Sequence, residues 1–88
     1  MVEVKKIDDR TFEVTVERSS TTKHNVTVDP SYYEKLTSGG VSPETLVEKS
    51  FEFLLEREPN TSILRHFNLS VINDYFPEYE SKIQKMLG

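Results

Sequence analysis

The chain has 88 residues, the size of one small domain with a thin stability margin. Its content of 35% hydrophobic and 30% charged residues is typical of a folded globular protein and excludes a disordered chain. The absence of cysteine excludes disulfides, thiolate nucleophiles and cysteine metal sites, and the net charge of −4 argues against a dominant nucleic-acid role.

The first 29 residues alternate between apolar and polar side chains, as β-strands do. The alternating segments are Val2–Ile7, Thr11–Arg18 and Lys23–Asp29. The clearest apolar face is that of Phe12, Val14 and Val16. Short polar turns separate the segments, so we expect an antiparallel meander with one face packed on helices.

The segment Ser42–Glu58 has the strongest helix signal. Ser42 suits the N-cap and Pro43 suits the first helical position. Pro59 ends the helix because the residue before a proline is pushed out of the α region. The residues expected on its buried face are Leu46, Val47, Phe51, Leu54 and Leu55.

Shorter helices are expected on both sides of this segment. Asp29-Pro30 opens one that Gly39-Gly40 ends. The others follow Pro59: Asn60–Phe67 with an apolar stripe of Ile63, Leu64 and Phe67, then Val71–Phe76 after Ser70, and Pro77–Leu87. We therefore expect one α+β domain over residues 1–88: a three-stranded antiparallel β-meander (1–29) and a helical half (30–88) of four to five helices packed on one face.

The residues that carry enzyme chemistry do not form a recognisable set. No serine lies in a G-x-S-x-G elbow, and no phosphate-binding glycine loop is present. His24 on a strand is expected to be half-buried with one nitrogen bonded, and His66 is expected on the surface. The histidines and acidic residues lack metal-ligand spacing. We expect no catalytic residue, no metal and no cofactor.

The location of the protein is inferred from what the sequence lacks. The residues after Met1 alternate and do not form the apolar stretch of a signal peptide. No apolar run approaches the roughly 20 residues that cross a bilayer. We expect a cytoplasmic protein without a membrane partner.

One polar pattern on the central helix is unusual. Glutamates repeat at every fourth position, at Glu44, Glu48, Glu52 and Glu56, and form what we call the acidic ridge. Like charges at this spacing are destabilising by about 0.2–0.5 kcal/mol per pair. The ridge is either a solvated outer face or a contact surface for a basic partner.

The aromatic residues concentrate in the helical half. The cluster comprises Tyr32, Tyr33, Tyr75, Phe76 and Tyr79. Most should belong to the core, and any exposed member would mark a partner surface. Homodimerisation is a further route to burying leftover apolar area.

Residues 23–58 resemble a ribbon-helix-helix DNA-binding unit. HNVTVDP resembles its ribbon strand, SYYEKL its first helix, and GGVSPETLVEKSFEFLLERE its glycine turn and second helix. With strands upstream, the arrangement is similar to small antitoxins of the HicB type. The resemblance implies a dimer that reads DNA through Lys23, Asn25 and Thr27. A nucleic-acid partner is nevertheless disfavoured, because phosphate neutralisation supplies most DNA affinity and the second helix is acidic.

A second stretch, ILRHFNLSVINDYFPEYESKI, resembles the helix-turn-helix of tetracycline-repressor-type regulators. The whole chain also resembles small prokaryotic proteins that have no assigned activity. The leading hypothesis is a non-enzymatic protein-binding or assembly module that contacts another protein or a second copy of itself. The alternative is a dimeric DNA-binding regulator or antitoxin.

Overall fold

The computed structural model describes all 88 residues, which form an α+β fold with helices over one face of a sheet. The strands are β1 (Val2–Lys6), β2 (Thr11–Glu17), β3 (Thr21–Thr27) and β4 (His66–Asn68). The helices are α1 (Pro30–Thr37), α2 (Pro43–Leu55), α3 (Val71–Tyr75) and α4 (Tyr79–Leu87), with a 3₁₀ turn at Asn60–Ser62. None of the helices is both long and apolar enough to span a membrane.

The antiparallel meander of β1, β2 and β3 is confirmed. Val14 lies between Val4 on β1 and His24 on β3, so the alternating residues of the three strands share one face. The first turn is held by Asp8, whose carboxylate accepts from the backbone N–H groups of Arg10 and Thr11, both at 2.9 Å. The buried face of the meander forms one side of the hydrophobic core.

The expected helix over Asn60–Phe67 is wrong. After the 3₁₀ turn, this segment becomes β4 and pairs parallel with β3. The Arg65 carbonyl accepts from the Asn25 N–H at 2.8 Å, and the Leu69 N–H donates to the Thr27 carbonyl at 2.9 Å. The apolar spacing of this segment suits a helix, but backbone hydrogen bonds to a strand distant in sequence override that local preference. The sheet therefore has four strands and is mixed, with β4 parallel to β3.

Helix α2 begins as expected and ends a turn earlier. Ser42 accepts from the Thr45 N–H at 3.1 Å and caps the helix. The N–H groups of Arg57 and Glu58 both donate to the Leu54 carbonyl at 2.9 Å, so the chain leaves the helix in a tight turn before Pro59. The expected residues Leu46, Val47, Phe51 and Leu54 are buried, whereas Leu55 is half-buried.

A second side of α2 is buried where only one was expected. Helix α4 packs against it, with the ring centroids of Tyr79 and Phe53 5.3 Å apart. The Tyr79 hydroxyl and Ser50 Oγ lie 2.6 Å apart, and Ser50 donates to the Leu46 carbonyl at 2.7 Å. The tyrosine hydroxyl therefore donates to Ser50. A helix with a single apolar face would place Ser50 near water, but Ser50 is buried and its hydroxyl is fully hydrogen-bonded.

A chain of polar groups joins β3 to the segment before β4. Asn60 Nδ2 donates to Thr22 Oγ1 at 2.9 Å, and Thr22 Oγ1 lies 2.9 Å from His24 Nε2. His24 Nδ1 lies 2.8 Å from the Leu64 carbonyl, which can only accept. Nδ1 must therefore carry a hydrogen, and in the neutral ring Nε2 accepts from the Thr22 hydroxyl. His24 was expected to be half-buried with one bonded nitrogen; it is 1% exposed and both nitrogens are bonded.

We predict that stability falls as the pH falls below about 6.5. Burial lowers the pKa of His24 from its ordinary value of 6.5, so the unfolded chain binds a proton at higher pH than the folded chain does. The unfolding free energy is then greatest above pH 6.5 and declines towards pH 5.5. Urea unfolding at pH 7.0, 6.0 and 5.5 measures the decline.

His24→Phe removes the titrating group and should flatten this dependence, although it lowers stability at every pH. His66→Gln, at the exposed histidine, should keep the full dependence and is the matched control. An unchanged slope in His24→Phe, or a slope lost in His66→Gln, would contradict the assignment to His24.

Candidate functional site

The acidic ridge is less uniform than its spacing suggests. Glu48 and Glu56 are exposed, whereas Glu44 and Glu52 are half-buried. Glu52 pairs with Lys49 at 3.5 Å, and Glu56 pairs with Arg57 at 3.4 Å. Exposed pairs of this kind contribute only about 0.2–1 kcal/mol each, so they moderate the ridge without removing its field.

Three of the four ridge residues form one wall of a cleft of about 410 Å³ beside β1. The cleft is lined by Glu48, Glu52 and Glu56 together with Met1, Val2, Arg18 and Leu55. Glu44 lies outside it. Arg18 also lines this cleft, so one positive side chain of the protein lies on the same cleft as the three glutamates.

The residues of the DNA-binding alternative lie on the outer face of the sheet. Lys23 and Asn25 are exposed, and Thr27 is half-buried. Strand β3 pairs with β2 along its whole length and with β4 over Asn25–Thr27, so over these residues it has no free edge for the same strand of a second copy. The first helix of the helix-turn-helix resemblance is replaced by β4. This geometry gives no support to DNA binding, which stays a prediction without a test.

No cluster of three or more histidine, cysteine, aspartate or glutamate side chains has the geometry to hold a metal ion. His66 is exposed on β4, as expected. All buried side-chain polar atoms have hydrogen-bond partners, so none is left pointing into a cavity.

A second cavity is an open apolar groove of about 430 Å³ at the β4 end of the sheet, which we call the β4 groove. Its lining residues come from the end of α2, the segment before β4, β4 itself and α3: Leu54, Glu58, Ser62, Ile63, Leu64, Phe67, Val71, Ile72, Tyr75 and Phe76. No residue of β1, β2 or β3 contributes. Leu64 and Tyr75 are 46% and 66% exposed, so two large apolar side chains are left in water beside the groove.

Glu58 is the one charged residue of the β4 groove. It takes part in none of the ion pairs of the chain, and burial raises the pKa of its carboxyl group. The neighbouring cation, Arg57, is engaged elsewhere: it lies 3.6 Å over the Phe53 ring and pairs with Glu78 at 3.3 Å. The groove therefore has an apolar lining and one uncompensated negative charge.

The ridge is visible in the sequence because it repeats along one helix, whereas the groove is not. Leu64 and Phe67 are expected on one helical stripe, but on the extended segment Phe67 is buried and Leu64 is exposed. The one available signal is the tyrosine-rich helical half, where any exposed aromatic residue is expected to mark a partner surface, and Tyr75 is 66% exposed. Comparison with protein-family models, curated proteins and solved structures finds no match, so the geometry alone indicates function.

We predict that the exposed groove residues contribute little to stability. Leu64→Ser and Tyr75→Ser should each change the unfolding free energy by less than about 1 kcal/mol, because the two residues are already 46% and 66% exposed. Leu69→Ala, at a fully buried neighbour, should cost about 2–5 kcal/mol. Thermal and urea unfolding measure both. If the groove variants lose as much stability as Leu69→Ala, the groove is a structural element and not a free surface.

Proposed function

We propose that the protein is a non-enzymatic protein-binding module and that the β4 groove receives a segment of another protein. The observation that carries this proposal is the exposure of Leu64 and Tyr75 beside an open, mostly apolar groove. Large apolar side chains grouped at one exposed site are typical of interaction surfaces, whereas scattered single ones are not.

The shape and lining of the groove favour a polypeptide over a metabolite. The groove is open along the edge of the domain and carries one charged residue, Glu58. Small-molecule sites instead bury most of the ligand's surface and fix its orientation with a few precisely placed polar groups. Tyrosine at the rim also suits protein contact, because it combines a large apolar area with few rotatable bonds.

We predict that Tyr75→Lys abolishes the enrichment of a specific partner from the native host. The substitution puts a long charged side chain into the apolar contact. Ile7→Lys is the matched control, since Ile7 is 52% exposed and follows β1 at the opposite edge of the sheet. Quantitative affinity enrichment compares the two variants with the wild-type chain. If the two variants retain the same proteins, the groove is not the contact surface.

The acidic ridge is a second candidate surface for the same function, with a basic partner in place of an apolar one. The double variant Glu48→Lys/Glu52→Lys reverses charge on the ridge and leaves the groove intact. We predict that it releases any partner that depends on the ridge, and that raising the salt concentration has the same effect. A partner that survives the double variant and high salt does not bind there.

A further inference from the structure

The β4 groove adjoins a strand edge that no other strand covers. In the order β1-β2-β3-β4, strand β4 is the last. The Arg65 carbonyl and the Leu69 N–H are bonded to β3. Because backbone groups alternate in direction along a strand, those of His66 and Asn68 point away from β3. No backbone hydrogen bond outside the helices and strands involves the N–H or C=O groups of His66 or Asn68.

An uncovered edge of this kind is a template for an additional strand. Backbone bonds to the edge provide affinity, and alternate side chains of the added strand fall on one face and provide specificity. Phe67 lies between the two free positions, is directed to the buried face and lines the groove. Alternate side chains of a strand added at β4 would therefore lie over the groove.

The charge of the groove indicates which side chains those are. Its apolar lining requires apolar side chains, while Glu58 has no cation of its own chain. A lysine or arginine on the same face of the added strand would supply the missing charge. A second copy of this chain fits less well, because its groove carries the same unpaired Glu58 and would supply no cation to the first.

We propose that the occupant of the β4 groove is an extended segment of another protein that adds to β4 as a fifth strand, with apolar side chains in the groove and a lysine or arginine against Glu58. This inference rests on the proposed function. It adds the conformation of the partner segment and its charge.

The test uses synthetic heptapeptides with threonine at the odd positions and leucine, phenylalanine, lysine or glutamate at the even positions. Fluorescence anisotropy with the full-length protein measures affinity. Peptides with one lysine between two apolar residues should bind at least about fivefold more tightly than the matched glutamate peptides, as expected for one ion pair against one repulsion. Glu58→Lys should reverse this order, while Ile7→Lys should leave it unchanged.

Backbone pairing is tested separately from side-chain contact. Methylating the peptide nitrogens that face β4 should abolish binding, and methylating the alternate nitrogens should not. The amide N–H groups of His66 and Asn68 should gain protection from hydrogen exchange in the complex, measured by NMR.

The outcomes separate this inference from the proposed function. Binding that tolerates methylation at every nitrogen, or that leaves the His66 and Asn68 amides unprotected, would overturn strand addition and leave the groove as a docking site. An affinity order that Glu58→Lys does not change would overturn the role of the basic residue. If no peptide binds but Tyr75→Lys still loses its partner, strand addition fails while the proposed function stands. Concentration-dependent protection of the same amides without peptide would identify a second copy as the occupant.

Discussion

The fold depends on the segment that leaves the helical half and returns to the sheet, where it pairs with β3 as β4. The chain of hydrogen bonds from Asn60 through Thr22 and His24 to the Leu64 carbonyl holds this return in place. Two of its bonds join groups 38 and 40 residues apart in sequence, and Thr22, His24 and Asn60 are buried, so the low local dielectric strengthens the bonds among them. An unpaired group there would cost about 1–3 kcal/mol, and the native pairing is correspondingly specific.

This return also generates the candidate site. It sets the segment from Ile63 to Phe67 against the end of α2, and α3 closes the remaining side of the groove. The residues that line the groove therefore come from separate segments of the chain, and no single sequence periodicity links them. The free edge of β4 and the exposed Tyr75 have a common origin: the last strand is short, and the helix that follows it has only five residues to cover the space beside it.

The sequence predicts those parts of the fold in which local pattern and long-range packing agree. The alternation around Phe12, Val14 and Val16 predicts the meander, and Ser42 with Pro43 predicts the start of α2. It does not predict β4, because three residues are too few for a strand signal and the spacing of Ile63, Leu64 and Phe67 suits a helix equally well. Phe53 and Ser50 are missed for a related reason: α4 buries a side of α2 that local periodicity assigns to water. Of the two candidate surfaces, the acidic ridge can be predicted from the sequence of one helix, whereas the groove cannot be predicted from any single element.

The parallel pairing of β3 with β4 has a consequence for the order in which the protein folds. The hairpins β1-β2 and β2-β3 need only short turns, whereas the whole stretch that forms α1 and α2 separates β4 from β3 in the sequence. The entropy of closing so long a loop places this contact late. During synthesis, β3 is therefore the exposed edge of an incomplete sheet. Lys23 on its outer face places a positive charge at this edge, and charge on an edge strand opposes edge-to-edge association.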